Sequence, residues 1–390
     1  MKVLFVVNNF YAKGNGLSAS ARRTVEKLRE AGLEVEVLSG PNPDPKGEEP
    51  RFLLQNTTIP IFDGLIHKQG YQFAKTDLRV AGEAIAWADL VHVEEPFNME
   101  ISVCHLAEEM GKPITGTFHL YPENLFASID LDKSAWSNGM MMRVWRDTVF
   151  NKCQIVQCPT ENVRDRLEAY HFKSELRVIS NGLVLEDLMH ITPEQKASLH
   201  RQSAAPYQIL AIGRLSKEKD YITLLKAMRY SRYAPQIQLV IAGRGPKEKV
   251  LKKEADNLMK KGILKYEPIF GFMDLPTLQN YAATSDLFVH CAFIEVEGLS
   301  CMEAIQTGLV PIIAKGRLTA TSQFALNPES TYQARKPKLL ARRIDYWLSH
   351  EKERKEEALK YVGLGEKYNI DYSIKAIIKM FEDAIAMANK

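Results

Sequence analysis

The sequence predicts an α/β protein built from two Rossmann-like units in tandem, and three observations carry that reading. Short apolar runs alternate with amphipathic helical stretches along most of the chain, the pattern of a parallel sheet with crossover helices. The alternation weakens once, through the polar stretch His190 to Ala205, and a second series of the same kind then begins. The length, 390 residues, suits two or three domains at about 150 residues each.

From the amino terminus, Lys2 to Val7 is an apolar strand, followed by a loop with Gly14 and Gly16 and a helix from about Ser18 to Ala31. Ser18 or Ser20 caps that helix, Ala21, Val25 and Leu28 make its apolar face, and Gly32 stops it. Leu33 to Leu38 returns as a strand that Pro41, Pro43 and Pro45 end. Further strands are expected at Asp89 to Val93, Pro113 to Thr117, Gln154 to Cys158 and Leu176 to Ile179. Beyond the polar stretch, strands are expected at Gln208 to Leu215, Ile237 to Ala242, Leu264 to Phe270, Leu287 to Cys291 and Val310 to Ala314. Helical patterns such as Ile222 to Tyr230 and Lys247 to Lys261 separate them, and a last helix, roughly Tyr372 to Met387, follows. Ligands of open parallel sheets bind beyond the carboxyl ends of the strands, so those loops, and the cleft between the two units, are where chemistry is expected.

Composition narrows the function classes. With 45% apolar and 25% charged residues the chain is globular, which excludes disordered, collagen-like and coiled-coil readings. Lys and Arg number 51 against 48 Asp and Glu, too even a balance to bind nucleic acid by bulk charge. The apolar run Val3 to Val7 stops at Asn8, short of a secretory or spanning segment. Cys104, Cys153, Cys158, Cys291 and Cys301 are scattered with no CxxC pair, so neither a disulfide framework nor a zinc site is indicated. A cytoplasmic, reduced protein is expected.

Two segments carry the chemistry. Gly213-Arg214-Leu215-Ser216-Lys217-Glu218-Lys219-Asp220 places a guanidinium and an ammonium at the carboxyl edge of a strand. Arg binds phosphate oxygens bidentately and Lys adds a mobile point charge, a pair suited to a leaving diphosphate; the bland alternative is a solvated charge run. Glu295-Val296-Glu297-Gly298-Leu299-Ser300-Cys301-Met302-Glu303 sets Glu295 on a loop and Glu303 about one turn into a helix. Free N–H groups at that helix start attract a phosphate, and the carboxylates accept bonds from sugar hydroxyls. The alternative is an acidic loop with a helix-capping glutamate.

These motifs, in this order, resemble the retaining glycosyltransferases of family 4, whose fold is GT-B: two Rossmann-like domains facing each other across a cleft. The family's hallmark pair of glutamates separated by seven residues is matched by Glu295 and Glu303. Its diphosphate-binding pair is matched by Arg214 and Lys219, its glycine turn by Gly243 and Gly245, and the segment that meets the nucleotide base by Phe270-Gly271-Phe272. Gly14-Asn15-Gly16 occupies the place of the family's glycine loop, and His119 that of the histidine near the donor hexose. The resemblance implies catalytic roles for His119, Arg214, Lys219 and Glu295. It implies donor contacts for Gly14, Gly16, Gly243, Gly245, Phe270, Gly271, Glu297, Gly298, Leu299 and Glu303. No cofactor and no metal are expected; the donor expected is UDP-glucose or UDP-galactose. Domain boundaries follow as residues 1–186 for an acceptor-binding domain, 187–371 for a nucleotide-sugar domain, and 372–390 for a helix crossing back onto the first.

Glu295-Val296-Glu297-Gly298 departs from the usual Glu-x-Phe-Gly, and with Tyr121-Pro122-Glu123-Asn124 it looks similar to a bacterial subgroup that glycosylates membrane lipids such as diacylglycerol or ceramide. The stretch Trp136 to Cys153 is basic, aromatic and Met-rich, the composition of a segment at a membrane interface, with Met141, Arg143, Trp145 and Arg146 as acceptor or membrane residues. Arg22, Arg23, Lys27 and Arg29 add to a basic amino-terminal face drawn to anionic lipid. A buried helix whose Arg side chains snorkel to water is the alternative. Asp130-Leu131-Asp132 reads as a surface turn. A lipid acceptor at the inner face of the cell membrane is therefore expected, with a polysaccharide or soluble acceptor as the rival. An NAD-dependent oxidoreductase, which needs a complete glycine fingerprint, and a non-catalytic nucleotide-sugar binder are more remote.

Overall fold

The computed structural model describes residues 1–12, 16–44, 46–57, 72–127, 131–184 and 199–390. Gly14, Pro45, Asp130 and residues 190–198 of the polar stretch lie outside them. The chain divides into two compact units, Met1–Asn181 with Asp371–Lys390, and Gly182–Ile370.

In the first unit, strands β1 (Lys2–Val6), β2 (Glu34–Ser39), β3 (Phe52–Leu53), β6 (Leu90–Val93), β7 (Ile114–Thr117), β8 (Ile155–Cys158) and β9 (Glu175–Val178) form a parallel sheet in the order β3-β2-β1-β6-β7-β8-β9. β4 (Gln55–Thr57) and β5 (Phe73–Lys75) make a separate antiparallel pair. Continuous burial along β6, β7 and β8 is what a sheet covered on both faces requires. The helices are α1 (Gly16–Glu30), α2 (Leu78–Trp87), α3 (Asn98–Glu109), α4 (Pro122–Phe126), α5 (Ala135–Thr148) and α6 (Glu161–Ala169). Side chains of Asp77, Ser134 and Thr160 accept backbone N–H bonds at the starts of α2, α5 and α6. α1 ends before Gly32, whose φ of 88° only glycine adopts cheaply.

The second unit has strands β10 (Tyr207–Ile212), β11 (Ile237–Ala242), β12 (Ile269–Gly271), β13 (Leu287–His290), β14 (Val310–Lys315) and β15 (Thr331–Gln333), all parallel, in the order β12-β11-β10-β13-β14-β15. Its helices are α7 (Tyr221–Ala227), α8 (Glu248–Lys260), α9 (Leu275–Thr284), α10 (Leu299–Gln306), α11 (Pro337–Ser349) and α12 (Glu351–Leu364). β10 ends at Ile212 rather than Leu215 because Gly213 turns to φ 145°. β12 holds three residues instead of the seven expected: Lys265, Tyr266, Glu267 and Pro268 interrupt the run, and proline has no N–H for the ladder.

The last helix, α13 (Ile370–Ala388), packs within the first unit: Phe381 lies 6.5 Å from the Phe5 ring and 5.3 Å from His92. The five cysteines are free and buried. No helix among the described residues is long and apolar enough to cross a membrane.

Charge is distributed differently from the basic amino-terminal face that the sequence suggested. The first unit carries 23 Lys and Arg against 27 Asp and Glu, the second 28 against 21. On α1, Arg22 Nη1 donates to the carbonyls of Phe10 and Ala12, Arg29 donates to that of Val35, and Lys27 pairs with Glu30. Those side chains tie down their own surroundings.

Candidate functional site

Strand order reverses at one place in each sheet, between β1 and β6 and between β10 and β13. The loops leaving the carboxyl ends of such a pair diverge and open a crevice for ligand. In the second unit the two loops are Gly213 to Asp220 and Cys291 to Gly298, which hold the predicted Arg214, Lys219 and Glu295. The Lys219 ammonium pairs with Glu295 Oε2 across the switch point. On the other side, His290 Nε2 stands 3.4 Å from the same oxygen.

Burial pushes the Glu295 carboxyl up, but Lys219 and then His290 outweigh it and hold it at about 2. His290 is buried and its pKa is lowered by that burial, against the pull of Glu295. Arg214 is also lowered by burial, and its Nη2 is buried with no hydrogen-bond partner among the described residues. An orphaned guanidinium donor at a crevice is stabilised by an incoming anion. Glu218, the nearest acidic influence on Arg214, accepts a bond from Ser216 Oγ.

The glycines fall into two groups. Gly243 and Gly245 serve the approach of two loops: a Cβ on Gly243 would meet the Gly213 carbonyl, and one on Gly245 would lie 2.5 Å from Leu215 O. Gly298 has φ 93° at the start of α10, and a Cβ there would lie 2.5 Å from Thr321 Oγ1. Gly271 and Gly16, by contrast, face open space. Leu299 opens α10 and Glu303, half-buried, sits one turn in.

Two placements differ from expectation. Glu297 is only 3% exposed, and its charge adds to burial in raising the Tyr368 pKa. Phe270 packs against the core, and the exposed aromatic of that segment is Phe272, with the Arg244 guanidinium 5.3 Å from its ring centre. The motif marked the segment but not which ring faces out.

In the first unit, His119 follows β7 and its Nε2 bonds Glu94 at the end of β6. His92 Nε2 lies 3.3 Å from the other Glu94 oxygen and 3.0 Å from Thr117 Oγ1. Burial raises Glu94, yet His119 and His92 hold it at about 2. Glu94 and His290 were not singled out in the sequence; Glu94 follows the strand beside the one that leads to His119, and His290 ends the strand that leads into the Glu295 loop. Beside them Asn8 Nδ2 donates to Glu100 at 2.8 Å and to Glu95 at 3.1 Å, and burial with the Glu95 charge raises Glu100 well above the carboxylate range.

Glu94 and Glu295 thus contribute stability that is full above pH ~4.5 and is lost as pH falls toward 2. Denaturant titrations should show the gap between wild type and Glu94→Gln narrowing as pH drops from 6 to 3; a constant gap would contradict the lowered value.

The membrane residues need correction. On α5, Met142 and Trp145 are buried, and Trp145 sets its ring edge-on to Phe97 at 6.4 Å. Arg146 donates to the Tyr170 carbonyl at 2.8 Å and pairs with Asp147. Trp145 is therefore buried in the unit rather than exposed, while Arg146 and Met141 are half-buried. The exposed stripe is Trp136, Met140 and Val144, at 75%, 43% and 42%, with Arg143 exposed beside it.

Over 98% of its length the chain shares the fold of Anabaena Alr3699/HepE, solved in complex with UDP, with a TM-score of 0.75, 15% identity and all of that chain covered. The fold so defined is GT-B. Two family descriptions match the sequence in succession, Glycosyltransferase Family 4 over residues 14–187 and Glycosyl transferases group 1 over residues 194–362. The chain belongs to glycosyltransferase family 4. It is 24% identical to an alpha-monoglucosyldiacylglycerol synthase of Streptococcus pneumoniae, over 81% of this chain and 71% of the relative. It is 25% identical to a GDP-mannose-dependent alpha-mannosyltransferase of Corynebacterium glutamicum, over 80% and 72%.

Proposed function

We propose that this glycosyltransferase moves glucose or galactose from a UDP-sugar to the hydroxyl of diacylglycerol or ceramide, with retention and without a metal, giving an α-glycoside. The observation that carries the reading is the Lys219–Glu295–His290 chain beside the orphaned Arg214 at the switch point of the second sheet. Arg214 and Lys219 take the diphosphate, whose charge grows as the glycosidic bond breaks. Glu295 accepts from the donor hexose, Glu303 from the ribose hydroxyls, and His119 contacts the hexose. Attack comes from the face the leaving group departs, a donor phosphate oxygen taking the acceptor's proton. The acceptor class is supported by the name of the Streptococcus pneumoniae relative; the mannosyltransferase relative supports GDP-mannose as the second donor to try.

The experiment is a donor panel of UDP-glucose, UDP-galactose and GDP-mannose with diacylglycerol or ceramide vesicles, run with and without EDTA. An α-linked glycolipid from a UDP-sugar, unchanged by EDTA, is expected. Transfer only from GDP-mannose, or only to a soluble acceptor, would refute the reading.

Glu94 holds the His119 ring, so Glu94→Gln should lower kcat about tenfold, and by a negligible factor in a His119→Ala background. Equal losses in both backgrounds would make Glu94 a purely structural residue. For the lipid surface, Trp136→Ala with Met140→Ala should weaken flotation with vesicles by about 30-fold or more, since inserting two such side chains is worth about 2 kcal/mol or more. Unchanged flotation would remove this stripe from the membrane.

A further inference from the structure

A cavity of about 370 Å³ opens at the edge of the second sheet, between β14, β15 and α11. It is lined by Lys315, Thr331, Tyr332, Gln333, Arg342 and Arg343, with Leu339 at its apolar wall. Its charge is concentrated beyond what the chain's composition supplies. From Lys315 to Arg343 the sequence has seven Lys and Arg and one acidic residue, Glu329, while the whole chain is only +3.

That one carboxylate is already engaged. Glu329 pairs with Arg343 Nη1, and Arg343 Nε donates to the Thr331 carbonyl at 2.9 Å. Arg343 is thereby fixed as part of the wall. Lys315, Gln333 and Arg342 are exposed, and no carboxylate among the described residues pairs with Lys315 or Arg342. Two cations of different geometry, a planar fork and a point charge, thus converge on a concavity that has an amide donor and no free acid.

We propose that this cavity is a binding site for a phosphate group, built from none of the residues assigned to the sugar donor. Arg342 offers bidentate donors and Lys315 a mobile charge, the complement of a phosphate monoester or diester. The volume exceeds what a bare phosphate needs and admits its small substituent. The same chemistry is presented by a soluble phosphate ester and by a phospholipid headgroup.

The test compares the full chain with three double variants: Lys315→Ala/Arg342→Ala in the cavity, Arg214→Ala/Lys219→Ala in the donor cluster, and Lys249→Ala/Lys253→Ala, two exposed lysines of α8 that match the charge removed. Inorganic phosphate is titrated at constant ionic strength and followed by thermal shift. In parallel, flotation is measured with phosphatidylcholine vesicles with and without phosphatidylglycerol. The cavity variant should lose apparent phosphate affinity by about tenfold or more, while the donor variant and the α8 variant keep the cavity response. Loss in the phosphate arm assigns a soluble phosphate; loss confined to the vesicle arm and exceeding that of the α8 variant assigns a lipid headgroup. A cavity variant that matches wild type in both arms, or falls no further than the α8 variant, overturns the site and leaves Lys315 and Arg342 as guards of an exposed strand edge. Because the cavity is read as a difference between variants, a failure of UDP-sugar transfer leaves the outcome intact.

Discussion

Lys219→Ala should lower kcat by about 10²- to 10³-fold, the usual loss when one donor to a developing charge is removed. Two effects combine at this residue. The ammonium would neutralise the departing diphosphate, and it is the principal partner that keeps Glu295 ionised against burial. Without it Glu295 keeps only His290 at 3.4 Å, and its carboxyl rises from about 2. The variant should therefore lose activity further as the pH is lowered, more steeply than wild type. Steady-state kinetics with saturating UDP-sugar between pH 5 and 8 would measure both. Near-wild-type kcat across that range would remove Lys219 from the chemistry, and a fall in thermal stability matching the fall in activity would reassign it to the fold. Arg214→Ala should resemble it in kcat without the added pH dependence, since Arg214 is not among the groups holding Glu295 down.

The sequence made these two cations visible because they lie on one short loop after a long apolar strand. Glu295, the partner of Lys219, was visible as well, but His290 beside Glu295 and Glu94 beside His119 were not. His290 and Glu94 sit at the ends of buried strands, where a polar residue in an apolar run carries no signal of what it faces. Strands such as β1, β10 and β11 were readable as apolar runs of five or six residues. β3 and β15 have two and three residues, too few for a pattern, and take their place from parallel pairing with a longer neighbour. Within the membrane segment, the burial of Trp145 was missed for another reason. Composition carries no period, and here the period decides: Asn138, Met142, Trp145 and Val149 recur at four, three and four residues and form the buried face. Trp136, Met140 and Val144 recur at four and form the exposed one. The split was legible in the spacing, and the aromatic character of Trp145 masked it.

Gly243→Ala should be the most damaging small substitution in the second unit, and its cost should appear in stability before donor affinity. At φ 152° an L side chain is strained, and the new Cβ would press on the Gly213 carbonyl, with its carbon at 2.9 Å. The obstacle is backbone on the neighbouring loop, tied by Gly213 N to Ala242 O at 3.0 Å and by Gly243 N to Gly271 O at 2.7 Å. No side chain is present there to rotate away. Gly271 supplies the control: its φ is 153°, but a Cβ there meets nothing within 4 Å. The torsional strain is nearly common to both positions, so the difference between Gly243→Ala and Gly271→Ala reads the steric term. That difference should reach about 2–3 kcal/mol, a fall of roughly 5–10 °C in the melting temperature of the second unit. Because the displaced loop carries Arg214, donor affinity should fall with it in Gly243→Ala. Equal melting temperatures for the two variants would mean that the loops separate freely, and the glycine would then be explained by contact with the donor.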